Sequence, residues 1–310
     1  MHVAVLAGGV GAARFLDGLV QVAKPSKTTA IVNVGDDFEL LGLHISPDID
    51  TIHYTLAGLV HREQGWGRAE ETTNALATVC ELGGEDWFLL GDRDIGLHLV
   101  RTERLRAGRS LSDVTDEIGQ KLGVPIATLP ATNDRLRTML GTPAGELDFQ
   151  TYFVRRRHED PVSSVRYDGA ANASAGPGVV AAIDEADVVV IAPSNPFLSI
   201  GPILAISDIA AALASRKGPT VAISPIIGGK AVKGPADRLL RTFAGEASVV
   251  ALGRHYGDLL THLLIDEADA DAATELKTMG LTVGVSDTLM TDGLARARVA
   301  RAAVELAADR

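Results

Sequence analysis

The first nineteen residues, MHVAVLAGGVGAARFLDGL, constrain the chain more than any other stretch, because an apolar run passes through glycines directly into a helical pattern. Val3, Val5 and Leu6 are β-prone, while Gly8, Gly9 and Gly11 let the backbone turn sharply and approach a ligand without an intervening Cβ. Phe15, Leu16 and Leu19 then make one apolar helical stripe. The unpaired N–H groups of that helix's first turn therefore face whatever sits over Gly8, Gly9, Val10 and Gly11. This is a cradle suited to phosphate; the alternative is a plain glycine turn with no ligand. Residues 9 to 14 carry the first two glycines of the dinucleotide fingerprint and put Arg14 in place of the third. No Gly-x-x-x-x-Gly-Lys-Ser/Thr occurs, which argues against a P-loop NTPase.

Further strands end in polar loops. Thr28 to Val34 reads as a strand by its β-branched content and runs into Gly35, Asp36 and Asp37. Next comes Leu43 to Thr51, then the apolar-periodic Ile52 to Val60, a helix that Ser46, Asp48 or Asp50 could cap and that Pro47 could open. Capping explains one acid, not Asp36, Asp37, Asp48 and Asp50 together; carboxylates so clustered suit Mg²⁺ or Mn²⁺ bridging to phosphate, or acid–base work. Ala69 to Leu82 reads as helix, Trp87 to Leu90 as a short strand, and Gly91-Asp-Arg-Asp94 leads into a helix at Ile95 to Arg106. Arg93, flanked by two aspartates, could be held for bidentate contact with a ligand, or Asp92 could simply cap the helix.

Ser110 to Leu122 is amphipathic, and Ile126 to Val154 has the texture of short antiparallel strands. Gly169 to Gly178 reads as a return loop. Asp187 to Ile191, Thr220 to Ile223 and Ser248 to Leu252 read as buried strands, with helices at Ile203 to Arg216 and Pro235 to Ala244 between them. The pattern predicts a doubly wound, mainly parallel, Rossmann-like α/β sheet formed by residues 1–95 and 178–310. Residues 96–177 form an inserted smaller α+β region. Ligands of such sheets bind outside the carboxyl ends of the strands. Ser194, Asn195 and Pro196 after one strand, and Ser224 to Gly229 after the next, therefore join the cleft. Ser194 and Asn195 offer hydrogen bonds to a base or ribose edge, and Gly228 and Gly229 offer a close backbone approach to phosphate.

A net charge of -11 argues against a nucleic-acid or anionic-membrane partner, either of which calls for a basic face. Cys80 is the single cysteine, which excludes an intramolecular disulfide and a cysteine metal cluster and suggests a small buried residue. The N-terminus lacks a basic region before its apolar run and no window of about 18 apolar residues is present, so the cytoplasm is expected. No Ser-His-Asp or metal-binding histidine spacing stands out.

Seven segments taken together, Gly8-Gly-Val-Gly11, Asn33-Val-Gly-Asp-Asp37, Ile45-Ser-Pro-Asp-Ile-Asp-Thr51, Gly91-Asp-Arg-Asp94, Pro193-Ser-Asn-Pro-Phe-Leu-Ser-Ile-Gly-Pro202, Ser224-Pro-Ile-Ile-Gly228 and Ser286-Asp-Thr-Leu-Met290, resemble the 2-phospho-L-lactate transferase family of coenzyme F-420 biosynthesis. The resemblance spans nearly the whole chain. It implies the deazaflavin FO as acceptor and a guanosine diphosphate ester of 2-phospholactate, or of phosphoenolpyruvate, as donor, with GMP released. It also implies Mg²⁺ and a homodimer. Asp50 and Arg93 carry over as residues contacting FO, and Asp36 and Asp50 as metal ligands. Asp50 would orient or deprotonate the hydroxyl of FO. Gly8 to Gly11 would hold phosphate, with Ser194, Asn195, Pro196, Ser224, Gly228 and Gly229 at the guanosine end. Phe38, Tyr54 and Trp66 are the nearest aromatic candidates for stacking the deazaflavin ring. Two rivals stand beside this: a nucleotide-sugar-sensing regulator of the gluconeogenesis-factor type, and a nicotinamide dehydrogenase resting on Gly9, Gly11 and Asp36.

Overall fold

In a computed structural model that describes residues 1–61 and 63–308, β1 (Val3–Ala7) runs straight into α1 (Gly9–Val22), followed by β2 (Thr28–Val32). A hairpin of β3 (Phe38–Leu40) and β4 (Leu43–Ile45) leads to α2 (Pro47–Leu56), α3 (Asn74–Glu81), α4 (Asp92–Arg106) and α5 (Leu111–Leu122). Then come β5 (Ala127–Pro130), β6 (Arg137–Thr142), β7 (Gly145–Asp148), β8 (Ser164–Asp168) and α6 (Val179–Glu185). The second half holds β9 (Val188–Ile191), α7 (Gly201–Leu204), α8 (Ser207–Ser215), β10 (Thr220–Ile223), β11 (Ile226–Ile227), β12 (Lys230–Ala231) and α9 (Ala236–Ala244). It closes with α10 (Val249–Tyr256), β13 (His262–Ile265), α11 (Ala273–Thr278), β14 (Thr282–Val285) and α12 (Gly293–Leu306).

Seven of these strands form one parallel sheet in the order β14-β13-β10-β9-β1-β2-β5. This is the expected doubly wound α/β sheet. Val3 pairs with Thr28 on one side and with Val188 on the other, so β1 and β9 flank the point where the chain's direction of winding reverses. β1, β9 and β10 are fully buried, because helices cover both sheet faces and leave no water for a polar face. α1 and α12 lie side by side on one face, so closely that a Cβ on Gly18 would stand 2.2 Å from the Arg296 carbonyl.

Within 96–177, β6, β7 and β8 make a separate antiparallel sheet. It shares a second apolar cluster with the β9 side, in which Leu140 and Tyr152 join Phe197, Leu198, Ile226 and Leu240. β5, in the stretch expected to be antiparallel, instead pairs in parallel with β2 at the sheet's edge. Three other local expectations also give way. Ser248 to Leu252 is not a strand: the Ser248 hydroxyl accepts from the Ala251 amide 3.0 Å away and caps α10. Trp87 to Leu90 forms no strand, and Phe38, Trp87 and Phe88 instead pack ring on ring with centroids 4.8 to 6.2 Å apart. Cys80 is exposed on α3 rather than buried. Among the described residues no single helix is long and apolar enough to cross a membrane.

Candidate active site

The glycine turn after β1 is fixed by the loops around it. Gly9 sits at φ +73°, which only glycine adopts without cost, and opens α1 itself. The Ser194 hydroxyl donates to the Gly8 carbonyl at 2.7 Å, tying the loop after β9 to the loop after β1 across the reversal point. A Cβ on Gly11 would stand 2.3 Å from the Pro193 carbonyl, so the second fingerprint glycine serves the packing of these two loops. Gly11→Ala is therefore expected to cost about 1 to 3 kcal/mol by overpacking, read as a lower urea midpoint with an unchanged slope.

Beside Gly9 lies a buried acidic cluster. Asp48 does not cap α2: one oxygen accepts from the Gly9 amide at 2.8 Å and the other from the Asn33 amide group at 2.9 Å. Ser46 stands at the α2 N-cap position without a capping bond, its hydroxyl donating to Asp37 at 2.8 Å; Pro47 opens the helix as expected. Burial, aided by Asp37, pushes the Asp48 carboxyl up to about 6 despite the Asn33 and Gly9 bonds. Asp36 is raised in the same direction, by burial first and then by Asp48 and Asp37. One oxygen each of Asp36 and Asp37 is buried without a hydrogen-bond partner.

A second polar cluster, on α2 and α4, holds Asp50. Both its oxygens accept from the guanidinium of Arg101, which is 1% exposed, and His98 Nδ1 lies 3.8 Å away. Burial alone would raise Asp50, but Arg101, with His98 and His53, outweighs it and holds the carboxyl below its ordinary value. Burial and Arg101 in turn push His98 and His53 down to about 4, against the pull of Asp50, so both rings are neutral at pH 7. Next to them the Tyr54 hydroxyl donates to Asp94 at 2.6 Å, and burial lifts Asp94 to about 6. Asp36 and Asp50 thus belong to adjacent clusters with different neighbours.

Arg93 is the second residue of α4, where its exposed guanidinium reaches Glu70 at 3.5 Å. Its flanking aspartates do not hold it: Asp92 accepts from Thr72, Asn74 and Ala75 at the start of α3, and Asp94 is taken by Tyr54. Asn195 accepts from the amides of Phe197 and Leu198, capping the helical turn that Pro196 opens, and keeps its buried Nδ2 unpaired. The Ser224 hydroxyl closes a local turn on Ile226, and Gly228 donates its amide to Asp269. Of the aromatic candidates Tyr54 is buried, Phe38 belongs to the Phe38–Trp87–Phe88 group, and Trp66 is 41% exposed.

Arg101 and His98 escaped the sequence reading, although their i, i+3 spacing places them on one helix face. A cavity of about 200 Å³ lies at the other, amino end of the sheet, lined by His2, Lys27, Thr29 and Glu185, away from all of these groups.

A profile of the 2-phospho-L-lactate transferase CofD family matches residues 3–297. The phosphoenolpyruvate transferase of Streptomyces coelicolor is 44% identical over 99% of this chain and 98% of its own, and that of Mycolicibacterium smegmatis 42% over 99% of both. Two solved structures of a Bacillus halodurans protein, one described as a member of the UPF0052 family, superpose with TM-scores of 0.65 and 0.63. They are 19% and 18% identical and cover 98% of this chain and 99% and 98% of theirs, a likeness of fold. With a profile match over 295 of 310 residues and relatives above 40% identity along the full length, the chain belongs to the 2-phospho-L-lactate transferase family and is a transferase of coenzyme F-420 biosynthesis.

Proposed function

We propose that this chain transfers an enolpyruvyl- or lactyl-phosphoryl group from a guanosine diphosphate ester to the terminal hydroxyl of FO. The hydroxyl oxygen attacks the phosphorus distal to guanosine, the bond to the bridging oxygen breaks, GMP leaves, and the hydroxyl proton passes to a base or to solvent. The name of the curated relatives favours the enolpyruvyl donor. The observation that carries the reading is the meeting, at the winding reversal between β1 and β9, of a glycine turn with a buried acid cluster in which one oxygen each of Asp36 and Asp37 is unpaired.

That cluster fits a divalent cation. Among the described residues no three His, Cys, Asp or Glu side chains grip an ion by themselves. Mg²⁺ characteristically takes one or two carboxylates and completes its shell with water and phosphate oxygens. Asp36 is the ligand we assign, with Asp50 nearby in the neighbouring cluster. When bound, the ion neutralises charge on the diphosphate and on the departing GMP. The protein's own groups position the reactants, which is most of the work in phosphoryl transfer. Beside the Gly9 amide, which Asp48 holds, the amides of Val10 and Gly11 in the first turn of α1 would face phosphate, and the unpaired Nδ2 of Asn195 would offer a donor to the nucleotide. Asp50 keeps unused lone pairs beyond its bonds to Arg101, so it orients the FO hydroxyl. A carboxylate held below its ordinary value is a poor proton acceptor, which favours orientation over deprotonation by Asp50.

A thermal-shift panel of FO, GDP, a UDP-sugar and NAD, with and without Mg²⁺, tests this, since a ligand that binds the folded state alone raises its melting temperature. FO and GDP should shift the transition. A shift with the UDP-sugar or NAD alone would favour the regulator or the dehydrogenase. Arg93→Ala should weaken FO binding, read by quenching of its fluorescence, and leave GDP affinity within about threefold.

A further inference from the structure

Arg14 stands on α1 one turn beyond Val10, so its guanidinium lies close behind the phosphate-facing first turn. Two loops from opposite halves of the chain meet over it. From the first half, Gly65 packs against it, a Cβ there standing 2.9 Å from an Arg14 terminal nitrogen and 3.4 Å from Val10. From the second, the segment after β12 brings the Lys233 ammonium within 3.5 Å of the Gln64 carbonyl. Among the described residues neither Arg14 nor Lys233 has a carboxylate within ion-pair distance, and Arg14 Nε is buried with no partner at all. The neighbouring cation Arg296 is already neutralised by Asp17, 2.8 Å away. Loss of surrounding water, and then each group's cationic neighbour, lower the pKa of both: Arg296 acts on Arg14, and Arg14 on Lys233. Two adjacent, partly desolvated cations without a counter-charge repel each other, and among the described residues only the Gln64 carbonyl, accepting from Lys233, is set against that. A chain carrying net charge -11 has acids enough to pair both, yet among the described residues none comes within ion-pair distance of either.

We infer that Arg14 and Lys233 form a seat for an anionic group of the donor, closed over α1 by the Gln64–Gly65 loop on one side and the Lys233 segment on the other. The inference rests on the transferase reading for the identity of the donor. Two groups of that donor share the required chemistry, the diphosphate oxygens and the carboxylate of the three-carbon acid. Arg14 departs from the dinucleotide fingerprint at the position of the third glycine, and this role accounts for a long cationic side chain there.

Isothermal titration of the full-length protein, its Arg14→Met and Lys233→Met variants, and the conservative Arg14→Lys variant, with GDP, inorganic pyrophosphate and phosphoenolpyruvate, tests the seat without any turnover. Either methionine variant should raise the Kd of the seated anion at least tenfold, with Arg14→Lys intermediate. Because each removes one of two repelling charges, the urea midpoint should stay level or rise. Weakened GDP and pyrophosphate assign the seat to the diphosphate, whereas weakened phosphoenolpyruvate with GDP unchanged assigns it to the carboxylate. Unchanged affinity for all three anions, or no measurable binding of any of them by the wild type, would overturn the proposal. Consumption of FO is a separate readout, so loss of the transferase reading and loss of the seat are told apart.

Discussion

Replacing Arg101 by methionine is expected to destabilise the protein by about 3 to 5 kcal/mol, because it strands the Asp50 carboxylate, 5% exposed, without its cation. The paired change Asp50→Asn with Arg101→Met removes both charges and should cost less than Arg101→Met alone. The Asp50 carboxyl is held below its unfolded value, so the folded state releases this proton more readily than the unfolded one. Its contribution to stability is present above the ordinary carboxylate range and is lost as pH falls through the depressed folded value. The gap between wild type and Arg101→Met should therefore be full at pH 7, be narrower by pH 3.5, and close only below the depressed folded value. Urea unfolding at pH 7 and pH 3.5 reads it, and a gap under about 1 kcal/mol at pH 7 would show that the ion pair does not hold α2 to α4.

Asp36→Asn should do the opposite to stability while removing activity. Asp36 is raised by burial and by Asp48 and Asp37, so over the window between its unfolded and folded values the folded state holds a proton that the unfolded state has lost. Stability therefore falls as pH rises through that window, and the amide, which has no charge to bury, escapes the loss. At pH 8 and without divalent metal the variant should be about 1 to 3 kcal/mol more stable than wild type. Asp48, pushed to about 6, keeps part of the slope in the variant. With Mg²⁺ present the wild type should gain stability and the variant little, and turnover should fall by about 100-fold or more if Asp36 is a ligand. Equal stability across pH, with full activity, would remove Asp36 from the metal site.

The parts of this molecule legible in its sequence are those where one local signal meets no competitor. β1, the glycine turn, and the Phe15, Leu16, Leu19 stripe of α1 follow directly from residue order, and Ser110 caps α5 where its spacing to Asp113 says it should. Val188–Ile191 and Thr220–Ile223 are apolar runs too short for a helix, and both are strands. Ser248 to Leu252 has the same texture and is a helix, because a capping serine decides between two conformations that an apolar run of five leaves open. The strands His262–Ile265 and Thr282–Val285, which complete the sheet, lie in segments whose strand character depends on a neighbour to pair with. The acidic cluster was visible as composition, but its division into one group around Gly9 and another around Arg101 depends on how α2 and α4 pack. Arginine is expected at the surface, so no local signal marks Arg101 as buried. The aspartates flanking Arg93 suggest a held guanidinium, but their bonds go to the start of α3 and to Tyr54 instead.

The central claim is that one cleft joins FO to the donor's phosphoryl group. Incubating the protein with Mg²⁺, FO and the guanosine diphosphate ester of phosphoenolpyruvate, and following both products by mass spectrometry, tests it most directly. The account predicts an FO adduct heavier by one enolpyruvyl-phosphoryl group, with one GMP formed per adduct and neither product formed after chelation. GMP release without any change in the mass of FO, or no consumption of either substrate beside equally ineffective 2-phospholactyl donor, would contradict it.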